Sequence, residues 1–126
     1  MAITMHTVSI VTTAGGAYST TLNGVGGRFL QYRYVPDGST PLDTGADLDI
    51  TGATTGYVYV NQDNIGTSAF TKAPRQPTHD ETGAASLYAA AGEPVEDHMF
   101  IGGEVLNVVI AQGGATKLGT LYVWTG

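Results

Sequence analysis

EVLNVVIAQGGATKLGTLYVWTG, residues 104–126, decides the class of fold. In its first part Leu106, Val108 and Ile110 share one face of an extended chain. Val105, Val109 and Ala111 lie opposite, together with Asn107. After Gly113-Gly114 a second run places Leu118, Tyr122 and Trp124 on one face against Leu121 and Val123 on the other. The double glycine predicts a C-terminal hairpin between strands at 104–112 and 118–125. A strand that is apolar on both faces has to be central in a sheet or covered by another subunit.

The same grammar extends toward the N-terminus. Eighteen glycines punctuate short runs rich in Val, Ile, Thr and Tyr, the pattern of many short strands joined by turns. Further strands are expected near 3–12, 17–22, 28–35, 46–51, 57–61, 68–72 and 98–101. No 3.6-residue apolar period persists. Tight hairpins are expected at Ala14-Gly15-Gly16 and at Asn23–Gly27, and a turn at Pro36-Asp37-Gly38, where Pro presets φ and Gly accepts a reversed one. In 46–51, Ala46, Leu48 and Ile50 face inward while Asp47 and Asp49 face outward. The expected architecture is a single all-β domain over residues 1–126, a β-sandwich or jelly-roll-like fold with a long Pro- and Ala-containing arm.

That arm runs from Ala73 to Asp97 and contains Pro74, Pro77 and Pro94 around GAASLYAAAG. A short helix over Ala84–Ala91, ended by Gly92 as its C-cap, is one expectation within it. Long connections in small domains are uncommon and are often interfacial. The arm therefore either packs on a neighbouring molecule or wraps its own sandwich.

Composition narrows the function classes. A chain of 126 residues and 13.0 kDa buries roughly two-thirds of its unfolded surface, enough for a core without metals or disulfides. It has no cysteine, so thiolate sites and cysteine nucleophiles are excluded. The start, MAITMHTVSI, has no basic n-region or long apolar h-region, so no signal peptide is expected. No apolar run approaches the roughly 20 residues of a spanning helix, so no membrane partner is expected and synthesis is expected in the cytoplasm. Formal charge is −6, and the five cations (Arg28, Arg33, Lys72, Arg75, Lys117) are scattered. That distribution offers no basic patch for nucleic acid. Charged residues make up 13% of the chain, against roughly 25% in ordinary soluble domains. A surface so poor in charge favours a protein that sits against neighbours.

Motifs that carry chemistry are sparse. Asp43, Asp47 and Asp49 cluster in DTGADLDI, and carboxylates about 7 Å apart on one strand face can share Ca²⁺. Paired or solvated surface carboxylates are the plainer reading, and no cofactor or metal is expected. His6, His79 and His98 have no ligand spacing, and GxSxG, P-loop and complete GxGxxG patterns are missing. No enzyme activity is expected. Tyr32 and Tyr34, sharing a face with Leu30, and Tyr57 and Tyr59 read first as core packing, and otherwise as a stacking platform for a ligand.

VPDGSTPLDTGADLDITGATTG (35–56), LYAAAGEPV (87–95) and VVIAQGGATKLGTLYVWTG (108–126) together resemble small virion proteins encoded among the structural genes of tailed bacteriophages. The resemblance covers most of the chain. It implies a non-enzymatic head decoration, or cement, protein on the capsid exterior. Such a protein would be a dimer or trimer bound to the major capsid protein and would stabilise the expanded lattice. A tail or head–tail junction component and a host-glycan-binding module are the alternatives. Contacts are expected from the arm (Arg75, His79, Leu87, Tyr88) and from the outer face of the last strand (Tyr122, Trp124).

Overall fold

A computed structural model of the chain describes residues 3–23 and 25–126. Ten strands follow in order: β1 (Thr4–Val11), β2 (Tyr18–Leu22), β3 (Gly27–Pro36), β4 (Asp47–Gly52), β5 (Val58–Gln62), β6 (Phe70–Lys72), β7 (Arg75–Pro77), β8 (Glu96–Ile101), β9 (Leu106–Ala111) and β10 (Leu118–Thr125). They form two antiparallel sheets packed as a β-sandwich. The first runs β1-β10-β3-β8-β7, and β6 shares the far edge of β3 with β8. The second runs β2-β9-β4-β5.

The expected C-terminal hairpin does not form. β9 pairs with β2 and β4 in one sheet, and β10 pairs with β1 and β3 in the other. Both strands are strongly apolar, and the crossing makes each central in its own sheet. Leu106, Val108 and Ile110 then meet Leu121 and Val123 across the interior, and all five are fully buried. The turn at 14–16 likewise carries the chain from one sheet to the other.

The crossings are sewn together at one end of the sandwich. Buried Thr12 donates its hydroxyl to the Gly114 carbonyl at 2.7 Å and accepts from the Lys117 amide at 2.7 Å. Beside it, the Gly113 amide donates to Gly16 O at 2.8 Å and the Asp43 amide to Gly113 O at 3.0 Å. Gly16 has φ of +83°, and a Cβ there would lie 2.9 Å from the Gly114 amide nitrogen. Glycine is required on both counts. At Pro36-Asp37-Gly38 the mechanism differs from the expected one. Gly38 has no reversed φ; the Asp37 carboxylate makes the turn by accepting from the amides of Ser39 and Thr40, each at 2.9 Å. The glycine run at 23–27 closes no hairpin either, because β2 and β3 belong to different sheets; Gly24 lies outside the described residues.

The core follows the alternation of the strands. In β4, Leu48 and Ile50 are fully buried, and Ala46 precedes them inward. In β3 a bulge changes the expected set. Thr125 pairs with Phe29 and Trp124 with Gln31, so Phe29, and not Leu30, joins Tyr32 and Tyr34 in the interior.

Candidate functional site

The first sheet turns one face away from the core, and its centre is β10. Along this strand Leu121, Val123 and Thr125 are buried, whereas Leu118, Thr120, Tyr122 and Trp124 point outward and are half-buried. Register sets their neighbours: Trp124 lies between Met5 and Gln31, and Tyr122 between Thr7 and Arg33. The two rings are 6.1 Å apart and inclined by 32°. Arg33 is held by donating to Thr71 Oγ1 at 2.9 Å. Neither β1 (TMHTVSIV) nor β10 (LGTLYVWT) contains a formal charge. Aromatic rings flanked by Met5, neutral polar groups and an anchored Arg33 suit contact with another protein surface.

The arm lies beyond the edge of the same sheet. No residue from 73 to 97 is buried, so this segment does not wrap the sandwich. Nor does it contain the expected helix. Instead Arg75–Pro77 pairs with Glu96–His98, and the ribbon then divides at a closed ring of backbone bonds. The Thr78 amide donates to Val95 O at 2.7 Å, Val95 to Ser86 O at 2.8 Å, and Ser86 to Thr78 O at 2.9 Å. Outside the ring, His79 bridges to Ala85 and Leu87 to Pro94. The Ala-rich stretch spans only about two helical turns and has no surface against which to bury a face, so an isolated helix would be unstable. Pairing satisfies its backbone groups instead, and Gly92, expected as a C-cap, closes a turn by donating to Ala89 O at 2.9 Å.

The six residues selected from sequence therefore fall on two features. Tyr122 and Trp124 occupy the sheet face. Arg75 stands at the base of the arm, three strands away from β10, or about 14 Å by strand spacing. His79, Leu87 and Tyr88 lie farther out, and Tyr88 is 76% exposed. The structure does not bring the two groups into one pocket. They form a face and a projection on one sheet.

Three features escaped the sequence reading. Phe100 is 71% exposed, although alternation between buried Met99 and Ile101 signals its outward position. It lines an open cleft of about 590 Å³ with Tyr57, Tyr59 and Glu104. The Glu104 carboxylate accepts from the Thr55 hydroxyl at 2.9–3.0 Å and braces the β4–β5 turn. Second, the Tyr57 hydroxyl donates to Gln76 Oε1, tying the arm base to the second sheet. Third, Met5 and Val11 expose apolar side chains along β1.

Tyr32, Tyr34 and Tyr59 belong to the core. Tyr57, Tyr59, Phe29, Tyr32, Phe70 and Tyr34 form a chain of successive ring contacts with centroids 5.0–6.4 Å apart. Burial pushes the Tyr32 and Tyr34 hydroxyls up to about 12, and Tyr34 donates to Gly66 O at 3.1 Å. Burial, then the negative charge of Glu104, also raises Tyr59. Three of the four tyrosines considered as a platform thus have no free face.

Asp47 and Asp49 share the outward face of β4, and Asp43 precedes the strand. Asp47 Oδ1 accepts from the Asn64 amide at 3.1 Å, and the Asp43 carboxylate lies against Gly114. Among the described residues no three His, Asp or Glu side chains are grouped to hold a metal.

No protein-family model matches this sequence, and no curated protein is significantly similar to it.

Proposed function

We propose that the protein is a non-enzymatic head decoration subunit of a tailed bacteriophage, bound to the major capsid protein on the capsid exterior and stabilising the expanded lattice. The observation that carries this reading is the arm. It is hydrogen-bonded within itself, projects without burying a residue, and exposes Leu87 and Tyr88 near its end. Free apolar side chains on an ordered projection gain stabilisation only when a neighbour covers them. The Tyr122–Trp124 face adds a second contact area on the same sheet, and interfaces of standard size require about 1,600 Å² in total. A subunit that binds only expanded heads shifts the lattice toward that state by mass action.

The test uses the three-way ring. Thr78 and Val95 already pair, so residues 79–94 can be replaced by Asn-Gly, a favoured two-residue hairpin loop. The wild type should cosediment with expanded heads and not with unexpanded ones. The trimmed variant should fold with a similar melting temperature and bind neither. A wild type that ignores both head forms would refute the reading, and loading onto tails would move it to the tail or the head–tail junction.

A second reading, host-glycan recognition, is favoured by the cleft, where the partly exposed Tyr57 and Phe100 flank Glu104. Aromatic faces beside a carboxylate suit sugar rings and their hydroxyls. Glycan-array binding lost in Phe100→Ala would support it, and an array without signal would remove it.

A further inference from the structure

We infer that β1 is a self-association edge: two copies of the chain pair their β1 strands antiparallel about a two-fold axis at Val8, joining the first sheets into one continuous sheet. Among the described residues β1 ends its sheet and pairs only with β10. An open edge presents a row of amide and carbonyl groups ready for another strand, and monomeric proteins blunt such edges with charge, proline, bulges or brevity. The other edges of this fold show those devices. β7 has three residues including Arg75 and Pro77; β2 and β5 have five each, and a register shift opposite Ile50–Thr51 interrupts the β4–β5 ladder. β1 has eight residues, a regular register against β10, no proline and no formal charge.

The strand is also complementary to itself. Met5, Thr7, Ser9 and Val11 point outward, while Val8 and Ile10 point into the core. An antiparallel partner has to keep outward residues opposite outward ones. With the axis at Val8, Met5 meets Val11 of the second copy, Thr7 meets Ser9, His6 meets Ile10 and Val8 meets itself. The two exposed apolar side chains of the strand, Met5 at 53% and Val11 at 51%, then cover each other at both ends of the ladder. The ladder supplies about eight backbone hydrogen bonds, since alternate residue pairs exchange two each. This charge-free register identifies the occupant as a second copy, and it does not depend on a capsid.

Light scattering over a range of concentrations tests the pairing. The wild type should be a dimer, tighter at high salt, because each copy carries −6 while the interface itself is uncharged. Thr7→Lys/Ser9→Lys sets four ammonium groups side by side across the junction at two exposed positions, and should give a monomer with unchanged circular dichroism. In a separate variant, Met5→Cys/Val11→Cys, a short bis-maleimide, to which one thiol from each copy adds, should yield a covalent dimer, a clean readout in a chain without cysteine. A wild type that stays monomeric at every concentration, or an oligomer that survives both lysines, overturns the inference. So does a dimer that gives no product with the cysteine pair.

Discussion

Replacing Thr12 by Val tests the account of how the two sheets are joined. The substitution keeps shape and removes only the hydroxyl, which donates to Gly114 O and accepts from the Lys117 amide, both at 2.7 Å. Thr12 is 3% exposed, so valine leaves one acceptor and one donor without their bonds. Each such group costs about 1–3 kcal/mol. The loop lies near the surface and water can reach part of it, which places the sum at about 2–3 kcal/mol. For a chain of this length that lowers the melting temperature by about 10 °C. Thr12→Ser is the control. It keeps both bonds and loses only the methyl group that fills the space beside Gly113, a cost of about 1 kcal/mol. Thermal unfolding followed by circular dichroism and calorimetry should rank wild type above Ser and Ser above Val. A valine variant as stable as the serine variant would show that packing, and not the hydroxyl, holds the crossings.

Two further outcomes follow from titratable groups. Tyr32 and Tyr34 sit at about 12 when folded, against 10.0 when free, so the native state retains protons that the unfolded chain releases. Their contribution is complete below pH 10 and is lost as pH rises toward 12, by about 2 kcal/mol per tyrosine; urea unfolding of Tyr32→Phe should show a shallower alkaline decline with little change at pH 7. In the arm, the Thr82 hydroxyl and the amides of Ala84 and Thr82 hold the Asp80 carboxylate below the ordinary range, so this turn is firm above the usual carboxylate pKa and loosens as pH falls through the lowered one. Asp80→Ala should speed hydrogen exchange at Thr82 and Ala84 at neutral pH and leave the melting temperature of the sandwich unchanged; slow exchange at both amides in that variant would count against the turn.

The strands were legible because burial in a sandwich imposes a period of two; β4 shows its inward face cleanly, while β9 and β10, apolar on both faces, announce themselves as central strands. Pairing was not legible. Gly113-Gly114 serves a hairpin and a sheet-to-sheet crossing equally well, and only the preference of two apolar strands for central positions separates them. The bulge at Leu30–Gln31 was invisible for a related reason, since one inserted residue changes the face of everything before it while composition stays the same. Within the arm, alanine favoured a helix by intrinsic propensity. Propensity loses in so short a segment, where the backbone groups of Thr78, Ser86 and Val95 satisfy one another. Tyr122 and Trp124 were legible as a face because their parity on β10 is opposite to that of buried Leu121 and Val123. That the face and the arm share one sheet required the topology.

The two outer faces of the sandwich differ in chemistry, and that difference gives the molecule a direction. On the second sheet the outward neighbours are Ser19, Val109, Asp49 and Asn61 in one row and Thr21, Asn107, Thr51 and Val58 in the next. This side is short-chained, with Val58 and Val109 as its exposed apolar groups among hydroxyls, amides and Asp49, and has no aromatic ring in either row. On the first sheet lie the paired rings of β10, the uncharged open edge of β1 and the root of the arm. A free monomer gains nothing from concentrating exposed apolar groups on one side, because each costs solvation free energy that an even distribution would not reduce. The asymmetry acquires a physical purpose when one side is covered and the other is wet. In the proposed assembly the first sheet is covered, the second sheet's hydroxyls and carboxylates form the exterior, and their negative charge keeps neighbouring copies apart except where β1 strands pair.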